Sequence, residues 1–350
     1  MTDISGLIWA AKCSPLQPVL EGLLNKSEIA GLHGAPEVFK TIFCLQVAES
    51  LASAMPLLGL WHVPKPQTVF FFETEMSVPA LGSRLTKMYA GQTPPEGIQF
   101  ADEKQLREFR RASDLQSKFA LLRDLVREAK ADVLILDTAN PCFRGKESPN
   151  DETTAGAFFD LLEALPGKVK LFVRHNHKPR IDDSGNDAAS KIRGSGQFAD
   201  VPDLLLELRR PDKRTTEAVL SVSKFRHGTK PDDVTLWLDM VRLRLISVPP
   251  VVYLLQSGPR SRPELLRDME SRFGIGQGKT DEQIKGQQLY LRERMSKHTK
   301  VFEIDWDAAK DANAGWYPRI QSHRETVEDM QGCISPSVSL DGPYPQPENE

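Results

Sequence analysis

The stretch Gly34–Thr41 reads Gly-Ala-Pro-Glu-Val-Phe-Lys-Thr and lies between two apolar segments. The short run Ile29–Leu32 precedes it, and Ile42–Ala54 follows it with apolar residues at helical spacing. A strand, a tight loop and a helix are the layout of a phosphate-binding loop, in which backbone N–H groups hold one phosphate and a lysine reaches the terminal oxygens. An ordinary strand-to-helix turn fits the same pattern, so both interpretations stay open at this point.

The loop departs from the usual phosphate-binding pattern at two positions. Phe39 stands directly before Lys40, where glycine is usual, and Glu37 stands where many such loops also have glycine. Phenylalanine reaches a positive φ only at an energetic cost, and a carboxylate repels a triphosphate. These two residues therefore predict an altered, weakened or lost nucleotide site.

The overall composition is that of a globular protein. Of the 350 residues 40% are hydrophobic, and the net charge is −3. No apolar run reaches the roughly 20 residues of a membrane-spanning helix, and Met1–Ala11 lacks the pattern of a secretion signal. The four cysteines form no Cys-x-x-Cys pair, which argues against zinc and disulfides. We therefore expect a soluble, cytoplasmic protein with no membrane partner.

Short apolar segments alternate with amphipathic helices along most of the chain. The predicted strands after the loop are Thr68–Phe72, Val133–Asp137, Lys168–Val173, Leu204–Leu208 and Ala218–Ser223, and the predicted helical segments are Val78–Tyr89, Leu106–Lys130 and Ala155–Leu165. This alternation predicts an α/β fold with a mostly parallel β-sheet and helices on both faces. Helices become scarce after Leu204, so we expect the sheet to close there with an antiparallel pair.

Acidic residues stand where two of these strands end. Glu73 and Glu75 follow Thr68–Phe72, and Asp137 is the last residue of Val133–Asp137. Open α/β sheets bind ligands at the carboxyl ends of their strands. Asp137 is costly in an apolar strand unless it is paired or solvated, and hydrated Mg²⁺ would supply that compensation. The structural alternative is that Asp137 caps the turn after the strand.

A smaller C-terminal domain is predicted after Pro249-Pro250. Three helices and a β-hairpin in about 70 residues match the winged helix-turn-helix plan. Its segments include Ser261–Phe273, Asp281–Ser296, Val301–Ile304 and Trp316–Ile320. Between Gly258 and Lys300, ten Lys and Arg residues against six acidic residues leave a local charge of +4. This excess favours nucleic acid over protein as the partner of the domain.

Five motifs, none specific alone, follow one another in a recognisable order. They are Gly34–Thr41, a strand-end acid before Leu81–Leu85 (Leu-Gly-Ser-Arg-Leu), Leu134–Thr138 (Leu-Ile-Leu-Asp-Thr), a strand that leads to His175, and Arg193-Gly194-Ser195 followed by Lys224–Gly228 (Lys-Phe-Arg-His-Gly). The order resembles that of the RecA/DnaB-type P-loop ATPases, and it is most similar to the RepA-like hexameric replicative helicases of plasmids and phages. The resemblance covers about two thirds of the chain, Leu23–Leu245.

This resemblance implies a site that binds ATP and Mg²⁺. The residues implied to hold the nucleotide are Gly34, Ala35, Pro36, Glu37, Val38, Phe39, Lys40 and Thr41. Lys40 is implied to neutralise the β- and γ-phosphates. Thr41 and Asp137 are implied to hold Mg²⁺ and its water shell.

Catalytic roles follow from the same resemblance. Glu75 is implied to be the general base, with Glu73 as the competing candidate. His175 is implied to sense the γ-phosphate; the alternative is a surface histidine. Lys224 and Arg226, two residues apart in a strand-like segment, are implied to reach the γ-phosphate of a neighbouring subunit, as arginine fingers do. Their alternative is a solvated pair on an edge strand. Arg193 is placed near the nucleotide or a central channel.

The sequence thus predicts four parts. They are an N-terminal lead-in (1–22), a RecA-like P-loop ATPase domain (23–247), a winged-helix-like domain (248–322) and a disordered acidic tail (323–350). The predicted function is that of an ATP-dependent motor that forms a homo-oligomeric, hexameric ring and acts on DNA, most like a plasmid or phage replicative helicase. Its C-terminal domain is expected to contact DNA or a replication partner.

An alternative function of a different class remains. Phe39, Glu37 and the nearly neutral segment Lys178–Ile192 also fit a DNA-binding regulator or replication accessory protein that keeps the P-loop fold as an oligomerisation scaffold. A metal hydrolase built on His175, His177, Asp182 and Asp183 is disfavoured, because metal sites need ligands that are held in position by a second shell.

Overall fold

A computed structural model describes residue 4 and residues 16–90, 92–143, 147–176, 192, 194–213, 215–248, 250–255 and 262–274. The chain divides into two compact units, Met1–Ser247 and Val248–Glu350, and each is described by itself. The predicted helix Ile4–Ala11, beyond its first residue, lies outside the described residues. So do His177, the segment 178–191, Arg193, the segment Asp281–Ile320 of the predicted winged helix, and the predicted tail.

In the first unit, strands and helices alternate as expected. The strands are β1 (Pro18–Leu20), β2 (Leu24–Asn25), β3 (Ile29–Gly34), β4 (Val69–Glu73), β5 (Ile98–Phe100), β6 (Val133–Asp137), β7 (Val169–His175), β8 (Leu204–Arg209), β9 (Glu217–Phe225), β10 (Val234–Asp239) and β11 (Arg244–Ile246). The helices are α1 (Lys40–Ser53), α2 (Val78–Tyr89), α3 (Glu103–Arg111), α4 (Leu115–Glu128), α5 (Glu152–Glu163) and α6 (Gln197–Asp200).

Nine of these strands form one sheet, in the order β11-β10-β9-β8-β3-β7-β6-β4-β5. The strands from β5 to β8 in this order pair in parallel, and β9, β10 and β11 continue the sheet by antiparallel pairing. The prediction of a mostly parallel sheet that becomes antiparallel after Leu204 is confirmed. The antiparallel part is longer than expected, because β10 and β11 were not predicted.

Helices cover both faces of the sheet, as predicted. Successive side chains of a strand point to opposite faces of the sheet. The strands in the middle of this sheet carry apolar side chains on both faces. Phe71 and Ile135 pack on one face with α1 and α2, while Phe72 and Leu136 pack on the other with α3, α4 and α5. Burial on both faces is the arrangement expected of parallel strands. It leaves the strand ends as the places where polar side chains can gather.

The described part of the second unit consists of α7 (Pro250–Leu255) and α8 (Arg262–Phe273). The rings of Tyr253 and Phe273 lie 6.2 Å apart between these two helices in an edge-to-face arrangement. Across the described residues, no helix has both the length and the apolar character that a membrane crossing requires. The winged-helix assignment stays a prediction.

Candidate functional site

The predicted loop connects the central strand β3 to helix α1. β3 ends at Gly34, where any Cβ atom would overlap the carbonyl oxygen of Leu208 on the neighbouring strand β8. Glycine is therefore required where the loop begins. Glu37 (φ 64°) and Phe39 (φ 69°) both adopt the left-handed backbone conformation. Glycine adopts positive φ angles most easily. In this loop, a glutamate and a phenylalanine adopt them instead.

Lys40 begins α1 with its side chain folded back over the loop. Its ammonium group donates hydrogen bonds to the carbonyl oxygens of Gly34 (2.9 Å) and Ala35 (2.7 Å). Burial lowers the pKa of Lys40 to about 8, against the opposite influence of Asp137 and Glu75. Loss of water disfavours the charged form, and nearby carboxylates favour it. Lys40 is therefore a buried cation next to the loop, held by acceptors that a phosphate can replace.

The carboxyl ends of β4 and β6 bring the predicted acids together. Glu73 pairs with Asp137 in the parallel register of these strands. Asp137 is 1% exposed, and the Thr41 hydroxyl donates a hydrogen bond to its carboxylate. Burial, with Glu73 as a second cause, raises the pKa of Asp137 to about 7. Its Oδ2 atom is buried with no hydrogen-bond partner.

These features fit a hydrated Mg²⁺ at Thr41 and Asp137. An unpartnered carboxylate oxygen beside a hydroxyl on the first turn of α1 matches the oxygen ligands that Mg²⁺ prefers, with water completing its shell. Among the described residues, no group of three or more His, Cys, Asp and Glu side chains could hold a metal by protein ligands alone.

Glu73 and Glu75 occupy different environments at the end of β4. The Glu73 carboxylate is buried and accepts the backbone N–H groups of Glu75 (2.8 Å) and Met76 (3.0 Å). It therefore holds the turn after the strand. The Glu75 side chain is 43% exposed and accepts a hydrogen bond from the Thr138 hydroxyl at 2.8 Å. Of the two candidates, Glu75 is the one that can meet a ligand.

His175 ends β7 and contacts the same carboxylate. Its Nε2 atom lies 3.5 Å from Glu75 Oε1. The hydrogen bond from His175, followed by the one from Thr138, lowers the pKa of Glu75 to about 2. The structure thus brings together Lys40, Thr41, Asp137 and the Glu75–His175 pair, which belong to separate motifs of the sequence.

Lys224 and Arg226 lie at the other end of the sheet. Phe225, between them, pairs with Leu204 at the start of β8, whereas the loop follows the far end of β3. The ammonium group of Lys224 donates to the carbonyl oxygens of Ala199 and Asp200. Arg226 donates to Asp200 O (2.7 Å) and Asp203 Oδ1 (3.0 Å). The two cations share one face, as their spacing predicted, but neither is near the loop of its own chain.

Sequence analysis assigned no role to two polar residues that organise this site. His33, fully buried on β3, hydrogen-bonds through its ring nitrogens to Asn176 Oδ1 (2.9 Å) and Ser223 Oγ (3.4 Å). It therefore connects the strands that carry His175 and Lys224. Thr138 links Glu75 to the end of β6. The sequence signal for His33 was a polar residue within an apolar strand, and Thr138 appeared only as the last residue of the Leu134–Thr138 motif.

Comparisons with known proteins give one family and a group of similar folds. The family model described as an AAA domain matches residues 5–180. The solved structures that resemble the chain include the KaiC-like protein PH0186 from the hyperthermophilic archaeon Pyrococcus horikoshii OT3, at 12% identity and TM-score 0.47 over 66% of this chain and 94% of that one. A second solved structure, described as an ATPase domain, is similar at 14% identity and TM-score 0.46, over 64% of this chain and 86% of that one. No curated protein matches the chain.

Proposed function

The chain belongs to the AAA domain family, and from that premise we propose that it is an ATP hydrolase that works as a ring-forming motor on DNA. Its first unit carries a P-loop ATPase-type domain, and the sheet places the strands that carry the predicted motifs, β3, β7, β6 and β4, side by side. One observation carries the proposal further. Lys40, Thr41, Asp137 and Glu75 converge beside the loop, at the carboxyl ends of β3, β6 and β4.

Each of these residues has a chemical task in such a reaction. The loop N–H groups and Lys40 bind the phosphates, and Thr41 with Asp137 holds Mg²⁺, which neutralises developing charge on the phosphate oxygens when it is bound. Glu75 orients the attacking water and accepts its proton. A carboxylate with a pKa of about 2 is a weak base. We therefore expect His175 to leave Glu75 for the γ-phosphate when ATP binds, which raises the basicity of Glu75.

A ring is supported by the position of Lys224 and Arg226. They lie beside the start of β8, and the loop lies beyond the end of the adjoining strand. The five residue steps of β8 at about 3.3 Å each separate the two ends by about 17 Å. A side chain cannot span that distance to the phosphates of its own subunit. A head-to-tail ring joins two different surfaces of the subunit, and the proposed ring is one in which the end of the sheet that carries Lys224 and Arg226 faces the loop of the next subunit.

DNA as the substrate is supported by charge and by the predicted C-terminal plan. The +4 excess between Gly258 and Lys300 stands in a chain whose net charge is −3. A local cationic surface binds the phosphate backbone of nucleic acids through release of counterions. The local cationic excess and the predicted winged-helix plan together support a motor that resembles the replicative helicases of plasmids and phages.

Nucleotide binding is the decisive test. We expect a fluorescent ATP analogue with Mg²⁺ to bind the wild-type protein at micromolar concentration, and Lys40→Ala to weaken binding by about 100-fold or more. Far-ultraviolet circular dichroism of both proteins controls for folding. Hydrolysis is then measured with and without single-stranded DNA, and ring size by mass photometry. Absence of binding by folded wild-type protein at high micromolar nucleotide would overturn the proposal.

The DNA-binding regulator is the second candidate, and one observation favours it. The Lys40 ammonium group is already bonded to two carbonyl oxygens of the loop, and a phenyl ring stands beside it in the place of glycine. A protein of this class would bind DNA and form oligomers with no response to ATP. DNA affinity measured with and without nucleotide separates the two functions.

A further inference from the structure

Two non-glycine residues in left-handed conformation make the loop Gly34–Thr41 unusual. Glu37 and Phe39 are separated by one residue, and both have φ values between 60° and 70°. Steric contact between the Cβ atom and the backbone disfavours this conformation for all residues except glycine. Such residues persist only where the surrounding structure holds them.

Arg210, in the turn between β8 and β9, contacts both of these residues. Its guanidinium carbon lies 4.7 Å from the centre of the Phe39 ring. Its Nη1 atom donates a hydrogen bond to the carbonyl oxygen of Glu37 at 3.1 Å. Arginine is suited to this double task because its planar group can stack on a ring while its edge donates hydrogen bonds.

The same guanidinium is fixed from the other side. Its Nη2 atom donates to the carbonyl oxygens of Lys213 and Thr215. The turn between β8 and β9 therefore fixes the guanidinium plane of Arg210 over the ring of Phe39. Beneath the guanidinium, the half-buried ring of Phe39 packs against the hydrophobic core. Phe39 is therefore held between the core and a fixed cation. Both strained positions of the loop are held by one side chain from another part of the chain.

We propose that Arg210 is a positioning residue that keeps the loop in its phosphate-binding shape, and that it does so because phenylalanine has replaced glycine at position 39. This inference rests on the proposed nucleotide site. Arg210 acts through Phe39 and Glu37 and does not itself contact the phosphates. With glycine at position 39 there would be neither a strained Cβ nor a ring to cover, and Arg210 would keep only its hydrogen bond to the Glu37 carbonyl oxygen.

A direct contact between Arg210 and the nucleotide is the competing explanation. Arg210 and Arg209 border a cavity of about 120 Å³ next to Pro36 and Val38 of the loop. If Arg210 served as a cation for the nucleotide, its removal would weaken binding equally with phenylalanine or glycine at position 39. Lysine at position 210 would then preserve much of the affinity, because it keeps the charge.

A double-mutant cycle separates these explanations. The variants are Arg210→Ala, Phe39→Gly, the combination of both, and Arg210→Lys, and the measurement is the affinity for a fluorescent ATP analogue with Mg²⁺. We expect Arg210→Ala to weaken binding about tenfold in the wild-type background, where the ring contact and the hydrogen bond to Glu37 O are both lost, and only about threefold in the Phe39→Gly background, where the hydrogen bond alone is lost. Arg210→Lys should behave like Arg210→Ala. The effect on KM should exceed that on kcat.

Arg209→Ala is the matched control. It removes the same charge from the adjacent position, at the end of β8, and from the same cavity border, but Arg209 pairs with Asp233 (3.2 Å) and not with the loop. We expect it to change nucleotide affinity less than about twofold. Equal losses from Arg210→Ala in both backgrounds, or no loss in either, would overturn the proposal.

Urea unfolding without nucleotide keeps this test independent of the proposed function. If Arg210 holds Phe39, the destabilisation by Arg210→Ala must be larger with phenylalanine than with glycine at position 39. Additive effects of the two substitutions on the free energy of unfolding would overturn the inference. Failure of wild-type protein to bind nucleotide, with coupling present in unfolding, would reject the nucleotide site and leave Arg210 as the residue that holds the loop.

Discussion

The Nε2 atom of His175 lies 3.5 Å from the Oε1 atom of Glu75, although β6 separates their strands, β7 and β4, in the sheet. The contact is possible because both side chains stand at the carboxyl ends of parallel strands, where they reach across the end of β6. Thr138, at the end of β6, donates to the same carboxylate. The proposed base and the proposed phosphate sensor are therefore in contact within one subunit.

Glu75→Gln should abolish hydrolysis and leave ATP binding intact. The amide keeps the size of the side chain but cannot accept a proton, so we expect kcat to fall by about 100-fold to 10,000-fold. Steady-state phosphate release and analogue binding measure the two effects. Glu73→Gln is the control, because Glu73 accepts only backbone N–H groups in the turn. Glutamine keeps an acceptor oxygen for both N–H groups, so this variant should change turnover far less than Glu75→Gln; the reverse ranking of the two variants would assign the base to Glu73.

The low pKa of Glu75 predicts a specific dependence of stability on pH. Its folded pKa of about 2 lies below the usual 4.5, because His175 and Thr138 hydrogen-bond the charged form. Unfolded protein then binds more protons than folded protein between these values. The stabilisation is thus present above pH 4.5 and is lost as the pH falls towards 2. It should be modest, since water screens a side chain that is 43% exposed.

Urea unfolding of wild-type protein and Glu75→Gln at several pH values measures this effect. The difference in unfolding free energy between the two proteins should be constant above pH 4.5 and shrink below it. A difference that stays the same down to the acid limit of folding would mean that the Glu75 carboxylate is not stabilised by its partners.

Thr138→Val tests the residue that holds Glu75. The hydroxyl of Thr138 donates to Glu75 and accepts the backbone N–H of Asn140 at 3.3 Å. Valine keeps the shape and removes both bonds, so we expect the unfolding free energy to fall by about 1–2 kcal/mol, and kcat to fall with it because Glu75 is less well oriented. Thr138→Ser retains the hydroxyl and should keep near wild-type turnover. Loss of activity in both variants would point to packing, not to the hydrogen bonds.

The fold was predictable where local patterns dominate. Strands β4 and β6 are nearly continuous apolar runs, because both of their faces are covered, and their bounds were placed within one residue. Strands β10 and β11 were missed. Both lie on the antiparallel side of the sheet. β10 begins with two half-buried residues before its buried ones, and β11 has only three residues, so neither strand has a strong periodic pattern of apolar residues. The three-residue strand β5 was missed for the same reason.

The site was predictable only in part. The motifs identified the residues that meet at the strand ends, because each has a local signature. Contacts between distant parts of the chain leave no such signature. Arg210 and Glu37 are 173 residues apart, and Arg210 stands in a polar turn like many others. The cost of Phe39 was visible in the sequence, but the residue that offsets it could be found only from the three-dimensional structure.

Arg226→Ala should bind ATP normally and lose turnover by about 1,000-fold if Arg226 completes the site of a neighbouring subunit. Mixing it with Glu75→Gln then tests whether sites are shared. A subunit with Arg226→Ala still supplies Lys40 and Glu75, and a Glu75→Gln neighbour supplies Arg226. Random one-to-one exchange in a head-to-tail ring makes about a quarter of the sites complete, so activity should return to about that fraction.

A matched mixture excludes other causes of recovery. Lys40 and Glu75 belong to the same side of the proposed interface, so a mixture of Lys40→Ala and Glu75→Gln has no complete site and should stay inactive. Recovery in both mixtures, or in neither, would contradict a shared site. In the absence of recovery, Arg226 would have only a structural role. Its hydrogen bonds to Asp200 and Asp203 would hold the start of β8 within its own chain. Recovery in the first mixture alone requires Arg226 to exchange these partners for the γ-phosphate across the subunit boundary.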